Sequence, residues 1–213
     1  MMHARRKAIA VLGFGLVSSV VTVPSASAAS AFAPSGETAT VVRAAGEDCG
    51  ASVSQSSGGF SISFSDFHVR AGGDSDPAEA RKRCQVSVVP PVQVPKGFTY
   101  AITQVEVRGF ADLATGSTGT LKLEEYFEGA GPTRTMTHDI AGPRSGGWVT
   151  TDLIPVGALV WKPCGEDRLL HVNSELRVSP DKADPSRVNV MGLDSDPARD
   201  RMIFHLTWKT CSR

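Results

Sequence analysis

The chain has 213 residues, 41% of them hydrophobic, with 22 Lys and Arg against 22 Asp and Glu. A balanced charge with no basic stripe and no interleaved aromatics excludes the electrostatic footprint that nucleic acid demands of a partner. The length suits one domain with its own core.

Residues 1–28 read as a secretory signal peptide. Arg5, Arg6 and Lys7 precede an apolar run from Ala8 to Val23, and Pro24-Ser25-Ala26-Ser27-Ala28 offers small residues where a signal peptidase reads. The run falls short of the ~20 residues a bilayer span needs, and no later segment is more apolar, so no stable membrane insertion is expected. Cleavage near Ala28 would remove three of the 22 basic residues and none of the acidic ones, leaving a mildly acidic exported chain. Cys49, Cys84, Cys164 and Cys211 all follow the signal, and an even number in an exported chain predicts two disulfides. The thiols are isolated, without the Cys-x-x-Cys spacing of zinc sites. Of the possible pairings the expected one is Cys49 with Cys84 and Cys164 with Cys211. Each closes a loop within one half of the chain, worth about 4 kcal/mol in the chain-entropy model.

Residues 29–46 are rich in Ala, Ser, Gly, Thr and Pro without hydrophobic period and read as a disordered leader, with a single domain over 47–213. Beyond Cys49 the apolar residues alternate. Phe60, Ile62 and Phe64 share one strand face, and Ser61, Ser63 and Ser65 the other. The same period runs through Gln85–Val89, Phe98–Gly109, Gly119–Phe127, Arg134–Ile140, Trp148–Leu153, Leu169–Val178, Arg187–Met191 and Met202–Trp208, with Gly, Pro, Asn and Asp between them. A phase slip between Ile102 and Val105 predicts a β-bulge. About nine or ten strands, with almost no helical period, predict an all-β antiparallel sandwich of jelly-roll type.

One short helix is expected in Gly72-Gly73-Asp74-Ser75-Asp76-Pro77-Ala78-Glu79-Ala80-Arg81-Lys82-Arg83-Cys84. Asp76 stands as N-cap, Pro77 opens the first turn, Glu79 completes a capping box, and the cations fall in the last turn. A calcium loop would need more oxygen ligands, unless Asp74 and Asp76 converge with Asp194 and Asp196 of the near copy at 194–201.

Phe64-Ser65-Asp66-Phe67, Arg81-Lys82-Arg83-Cys84-Gln85, Val107-Arg108-Gly109-Phe110-Ala111-Asp112-Leu113, Leu159-Val160-Trp161-Lys162-Pro163-Cys164-Gly165 and Leu206-Thr207-Trp208-Lys209-Thr210-Cys211 occur in this order. Together they resemble the domain-of-unknown-function family numbered 4360, from Cys49 to Cys211 and without the leader. The resemblance implies a small secreted β-rich domain with paired cysteines, of bacterial and fungal kind. It brings no activity and no catalytic residues. The charged Arg83 departs from the more neutral residue of many relatives, which leaves a surface role open there.

No Gly-x-Ser-x-Gly frames a nucleophile; Ser117 and Ser145 lie in glycine-rich turns. His68, His138, His171 and His205 are scattered, so no metal and no cofactor is implied. Glu124 and Glu125 point to opposite faces of one strand and cannot serve as a glycosidase pair. Glu106 with Glu124, or Asp139 with Asp152, would have to be assembled by strand pairing. Trp161 and Trp208 repeat a Trp-Lys-x-Cys spacing, and a Cys164–Cys211 bond would draw them together, either as a platform or, as favoured here, packed in the core. Trp148, after two glycines, is the expected exposed aromatic, with Tyr126 and Phe127. Export, disulfides and the missing catalytic frame predict a secreted, non-catalytic sandwich binding cell-wall polysaccharide or an extracellular protein, with these aromatics as its expected binding residues. The alternative is an extracellular hydrolase of glycans, which needs a cleft with two facing carboxyls.

Overall fold

The computed structural model describes residues 41–46, 49–56, 58–88, 97–131, 134–193, 196 and 201–211; the expected signal peptide, the expected leader to residue 40 and Asp194 lie outside them. In chain order the strands are β1 (Val41–Gly46), β2 (Ser52–Ser56), β3 (Gly59–Ser63), β4 (His68–Ala71), β5 (Arg81–Val88), β6 (Phe98–Leu113), β7 (Thr118–Phe127), β8 (Arg134–Ala141), β9 (Arg144–Leu153), β10 (Leu170–Ser179), β11 (Asn189–Gly192) and β12 (Arg201–Thr210). They form two antiparallel sheets. A five-stranded sheet has the order β1-β5-β10-β7-β8. In the seven-stranded sheet β2-β3-β12-β6 is the main run, β11 and β4 continue along the β12 edge of β6, and β9 pairs with its other edge. The chain crosses repeatedly from one sheet to the other, the alternation of a jelly-roll-like sandwich.

Alternation sets the layers. Val86, Val88, Leu121, Leu123, Val172 and Leu176 turn inward from the five-stranded sheet and meet Phe60, Ile62, Val105, Val107, Met202 and Phe204 of the other. Phe60 stacks on Phe204 across β3 and β12 with ring centroids 4.6 Å apart, a contact worth about 1 kcal/mol beyond area burial. The phase slip is a real bulge. His205 pairs with Gln104 and Leu206 with Ile102, leaving Thr103 as the extra residue, its hydroxyl donating to the His205 carbonyl at 3.2 Å.

Both expected disulfides are present. Cys49–Cys84 is buried between the sheets and Cys164–Cys211 lies at the surface.

Two expectations are corrected. The leader is not disordered to its end: β1 pairs with β5 over Val41 to Gly46, with Gly46 opposite Cys84. Its β-branched pair Val41-Val42 suits a strand, and the pairing covers the edge of β5. The helix is shorter than its composition promises, a 3-10 turn over Pro77–Ala80. Asp76 does cap it, its carboxylate accepting from the Ala78 amide at 2.9 Å. Glu79 takes a bidentate bond from Arg70 at 2.6 and 2.9 Å and a weaker one from the Asp76 backbone amide, the return half of a capping box. Arg81, Lys82 and Arg83 leave the turn because pairing with β10 claims their backbone, with Arg83 opposite Glu175. Sheet hydrogen bonds here override helix propensity.

Candidate functional site

The outward face of the five-stranded sheet carries a polar groove whose shape follows from register. Asn173 of β10 is paired with Gln85 of β5 on one side and Glu124 of β7 on the other. Two residues on, Glu175 lies between Arg83 and Lys122. These two rows run across the strands, about 7 Å apart at the rise of a β-strand. Between them the inward residues Cys84 and Ser174 leave only backbone at the surface. The result is an open depression of about 380 Å³ lined by both rows, within the ~300–1,000 Å³ of ligand clefts.

Each charge in the groove has a partner. Glu175 accepts from Arg83 at 2.8 Å and from Arg81 at 2.6 Å, and Lys122 meets Glu124 at 2.6 Å. The Arg81 hydrogen bond, reinforced by Arg83, outweighs partial burial and holds the Glu175 carboxyl below the usual range. A third row, Ser87–His171–Tyr126, borders the groove. The Tyr126 hydroxyl accepts from Gln85 Nε2 at 3.2 Å, so the tyrosine, rooted on β7, crosses β10 to reach β5. Its ring lies 4.9 Å from that of His171, tilted by 32°, and His171 Nδ1 is 2.8 Å from the Ser87 hydroxyl.

The expected aromatic patch is not one surface. Only Tyr126 faces outward, half-buried. Phe127 is on the opposite face of β7, 5% exposed and edge-on to Tyr100. Trp148 is 4% exposed. The glycines before it belong to β9 rather than to a loop, and the inward phase of that strand places the indole over Gly109. Of the large apolar side chains exposed among the described residues, Val149, Leu153 and Val156 lie on and just after β9, on the other sheet, and Val188 just before β11. The two Trp-Lys-x-Cys repeats do meet at their disulfide. Trp208 packs on Tyr100 at 5.3 Å, while Trp161, half-buried, lies under Lys209 Nζ at 3.9 Å. The pair is thus neither a shared platform nor fully in the core.

Register also separates the carboxylate pairs. Glu106 and Glu124 project from opposite faces of the sandwich. Asp139 accepts from Thr120 at 2.7 Å on the outer surface, while Asp152 meets His138 at 2.7 Å from the edge of the other sheet. The remaining histidines stay apart, and among the described residues no three His, Cys, Asp or Glu cluster as metal ligands. Asp76 is occupied as a cap.

Sequence reasoning named Glu125 only to exclude it as the partner of Glu124, yet among the described residues it is the most perturbed carboxyl. It shares the inward phase of Leu121, Leu123 and Phe127, is 4% exposed, and accepts from Arg134 of β8. Arg134 also donates to the Ala158 carbonyl at 3.0 Å. Burial outweighs the attraction of Arg134, and the Asp152 charge adds to it, so the carboxyl is pushed up to about 7. The signal was there: a glutamate in phase with an apolar series.

These features define a disulfide-bonded, secreted β-sandwich with a polar cross-strand groove. The chain belongs to the family described as Domain of unknown function (DUF4360), whose model matches residues 36–211; the match begins before Cys49 and takes in β1. An uncharacterized secreted protein of Arthroderma benhamiae is 27% identical over 149 residues, covering 70% of this chain and 59% of the relative. The chain thus spans somewhat over half the length of that protein. Among solved structures, TmCBM61 in complex with beta-1,4-galactotriose aligns at 11% identity over 79% of this chain and 88% of its own, with a TM-score of 0.26. The enzymatically active domain of bacteriophage CBA120 tailspike protein 4 aligns at 10% identity over 82% and 19%, with a TM-score of 0.27. Likeness at this level carries no functional argument.

Proposed function

We propose that the protein is an extracellular recognition sandwich that holds a polysaccharide in the groove of its five-stranded sheet. The observation that carries this reading is the juxtaposition of Tyr126, laid across β10 beside His171, with the amides of Gln85 and Asn173. A sugar has an apolar ring face that stacks on an aromatic and an equator of hydroxyls that seeks planar amide and carboxylate partners. Concave sites that combine a little apolar surface with a few placed polar groups are the usual form of ligand pockets. Hydrolysis asks for more, a carboxyl kept protonated near neutral pH to act as acid. Glu175, the carboxylate at the centre of the groove, is tuned the other way by Arg81 and Arg83, which favours binding over cleavage.

The test is a pull-down of the exported protein on insoluble polysaccharides and cell walls, with Tyr126→Ala and Asn173→Ala alongside and folding checked by circular dichroism. Retention by the parent and its loss in folded variants supports the reading. No retention on any matrix, or retention unchanged by both variants, overturns it.

A further inference from the structure

We infer that the groove takes an uncharged glycan whose chain lies across the strands; this deepens the reading above and rests on it. The walls are the cross-strand rows Arg83–Glu175–Lys122 and Gln85–Asn173–Glu124, so the trough runs perpendicular to β5, β10 and β7. Strands lie about 4.8 Å apart, close to the repeat of an extended pyranose chain, so successive sugars sit over successive strands.

Charge decides the class of glycan. Two cations and two carboxylates line the trough, and each is already paired: Glu175 with Arg83 at 2.8 Å and, from just beyond the lining, with Arg81 at 2.6 Å, and Lys122 with Glu124 at 2.6 Å. A polyuronate or sulfated chain needs surplus positive potential. Here it would have to draw Arg83 and Lys122 away from Glu175 and Glu124 and lie against both carboxylates itself. A cationic chain meets the same obstacle with the signs reversed. An uncharged sugar asks for no such exchange. A vicinal diol offers donor and acceptor together, and guanidinium beside carboxylate, or amide NH₂ beside amide oxygen, presents the complementary pair. The spare acceptors of Glu175 and the amide of Gln85 suit that role, with the Asn173 NH₂ as a further donor beside its buried Oδ1.

The experiment titrates the exported protein with neutral soluble glycans (galactan, glucan, mannan, xylan) and with polygalacturonate and a sulfated glycan, each at about 50 and about 500 mM salt. Neutral polymers are expected to bind with an affinity that salt leaves unchanged, and Gln85→Ala and Asn173→Ala each to weaken it about tenfold. Glu124→Gln, which releases Lys122, is expected to gain salt-sensitive binding of polygalacturonate while keeping the fold. Preferential, salt-sensitive binding of an acidic polymer by the parent overturns the uncharged class but leaves the polysaccharide reading intact. Binding of no glycan overturns both. Neutral binding that ignores both alanine variants places the site elsewhere and overturns the groove.

Discussion

Gly109 lies directly opposite Trp148 in the β6–β9 pair, and the indole packs across the space that the missing side chain leaves. A Cβ on Gly109 would meet Trp148 Cζ2 at 2.6 Å and the Gly192 carbonyl oxygen at 2.4 Å. Trp148 is therefore a core residue, and Trp148→Ala is expected to cost about 3–5 kcal/mol of stability. Gly109→Ala should also destabilise, by overpacking. Chemical denaturation of both variants checks this. A Trp148→Ala protein as stable as the parent would mean that the indole is not part of the core.

That reversal shows what the sequence makes legible and where it stops. Strand faces follow from alternation within one segment, so Phe60, Ile62 and Phe64 are placed correctly, and the slip at Ile102–Val105 is readable as a bulge because it breaks a local period. The environment of Trp148 depends on which residue faces it across the ladder, and nothing near Gly146-Gly147 points to Gly109. The same holds for the groove. Gln85, Asn173 and Glu124 come from three distant strands, and only register aligns them. Arg81–Arg83 mislead for a related reason, since their helix-forming composition is outvoted by pairing to a strand some ninety residues away.

The disulfides differ in access. Cys49 and Cys84 are each 1% exposed, while Cys164 is exposed and Cys211 partly so. Thiol–disulfide exchange requires an attacking thiolate to reach a sulfur. Cys164–Cys211 should be reduced first under mild thiol in native buffer, and Cys49–Cys84 only with unfolding. Timed alkylation and mass mapping would show the order; simultaneous loss of both bridges would contradict it.

Asn189 ties three segments from a fully buried position. Its Oδ1 accepts from the Ala114 amide at 2.7 Å, and its Nδ2 donates to the Arg187 carbonyl at 3.1 Å and, more weakly, to that of Ala71 at 3.4 Å. Asn189→Ala leaves buried backbone groups without partners, and the expected loss is about 2–3 kcal/mol. Asn189→Asp keeps the acceptor for Ala114 but loses the donors and buries a charge, so it should be no better tolerated. Denaturation midpoints that match the parent would show that the loops re-pair their backbone without Asn189.

Glu125 gives stability a pH dependence whose sign can be worked out. In the unfolded chain the carboxyl ionises around its ordinary 4.5, but in the folded protein it keeps its proton to about 7. The folded state therefore binds the extra proton between those values, and stability falls as pH rises from 4.5 to about 7. The full difference corresponds to about 3 kcal/mol. Carboxyls held low, such as Glu175 with its arginines, act in the opposite sense and in another window, losing their contribution as pH falls below the ordinary 4.5. Glu125→Gln removes the ionisation while leaving an oxygen for Arg134, so its stability should stay flat where the parent declines and exceed the parent's above pH 7. Arg134→Met removes the attraction that counters burial and should carry the decline beyond pH 7 without steepening it. Urea denaturation at half-unit steps from pH 4 to 8 measures all three proteins, and a parent curve parallel to that of Glu125→Gln would show that the carboxyl ionises normally within the fold.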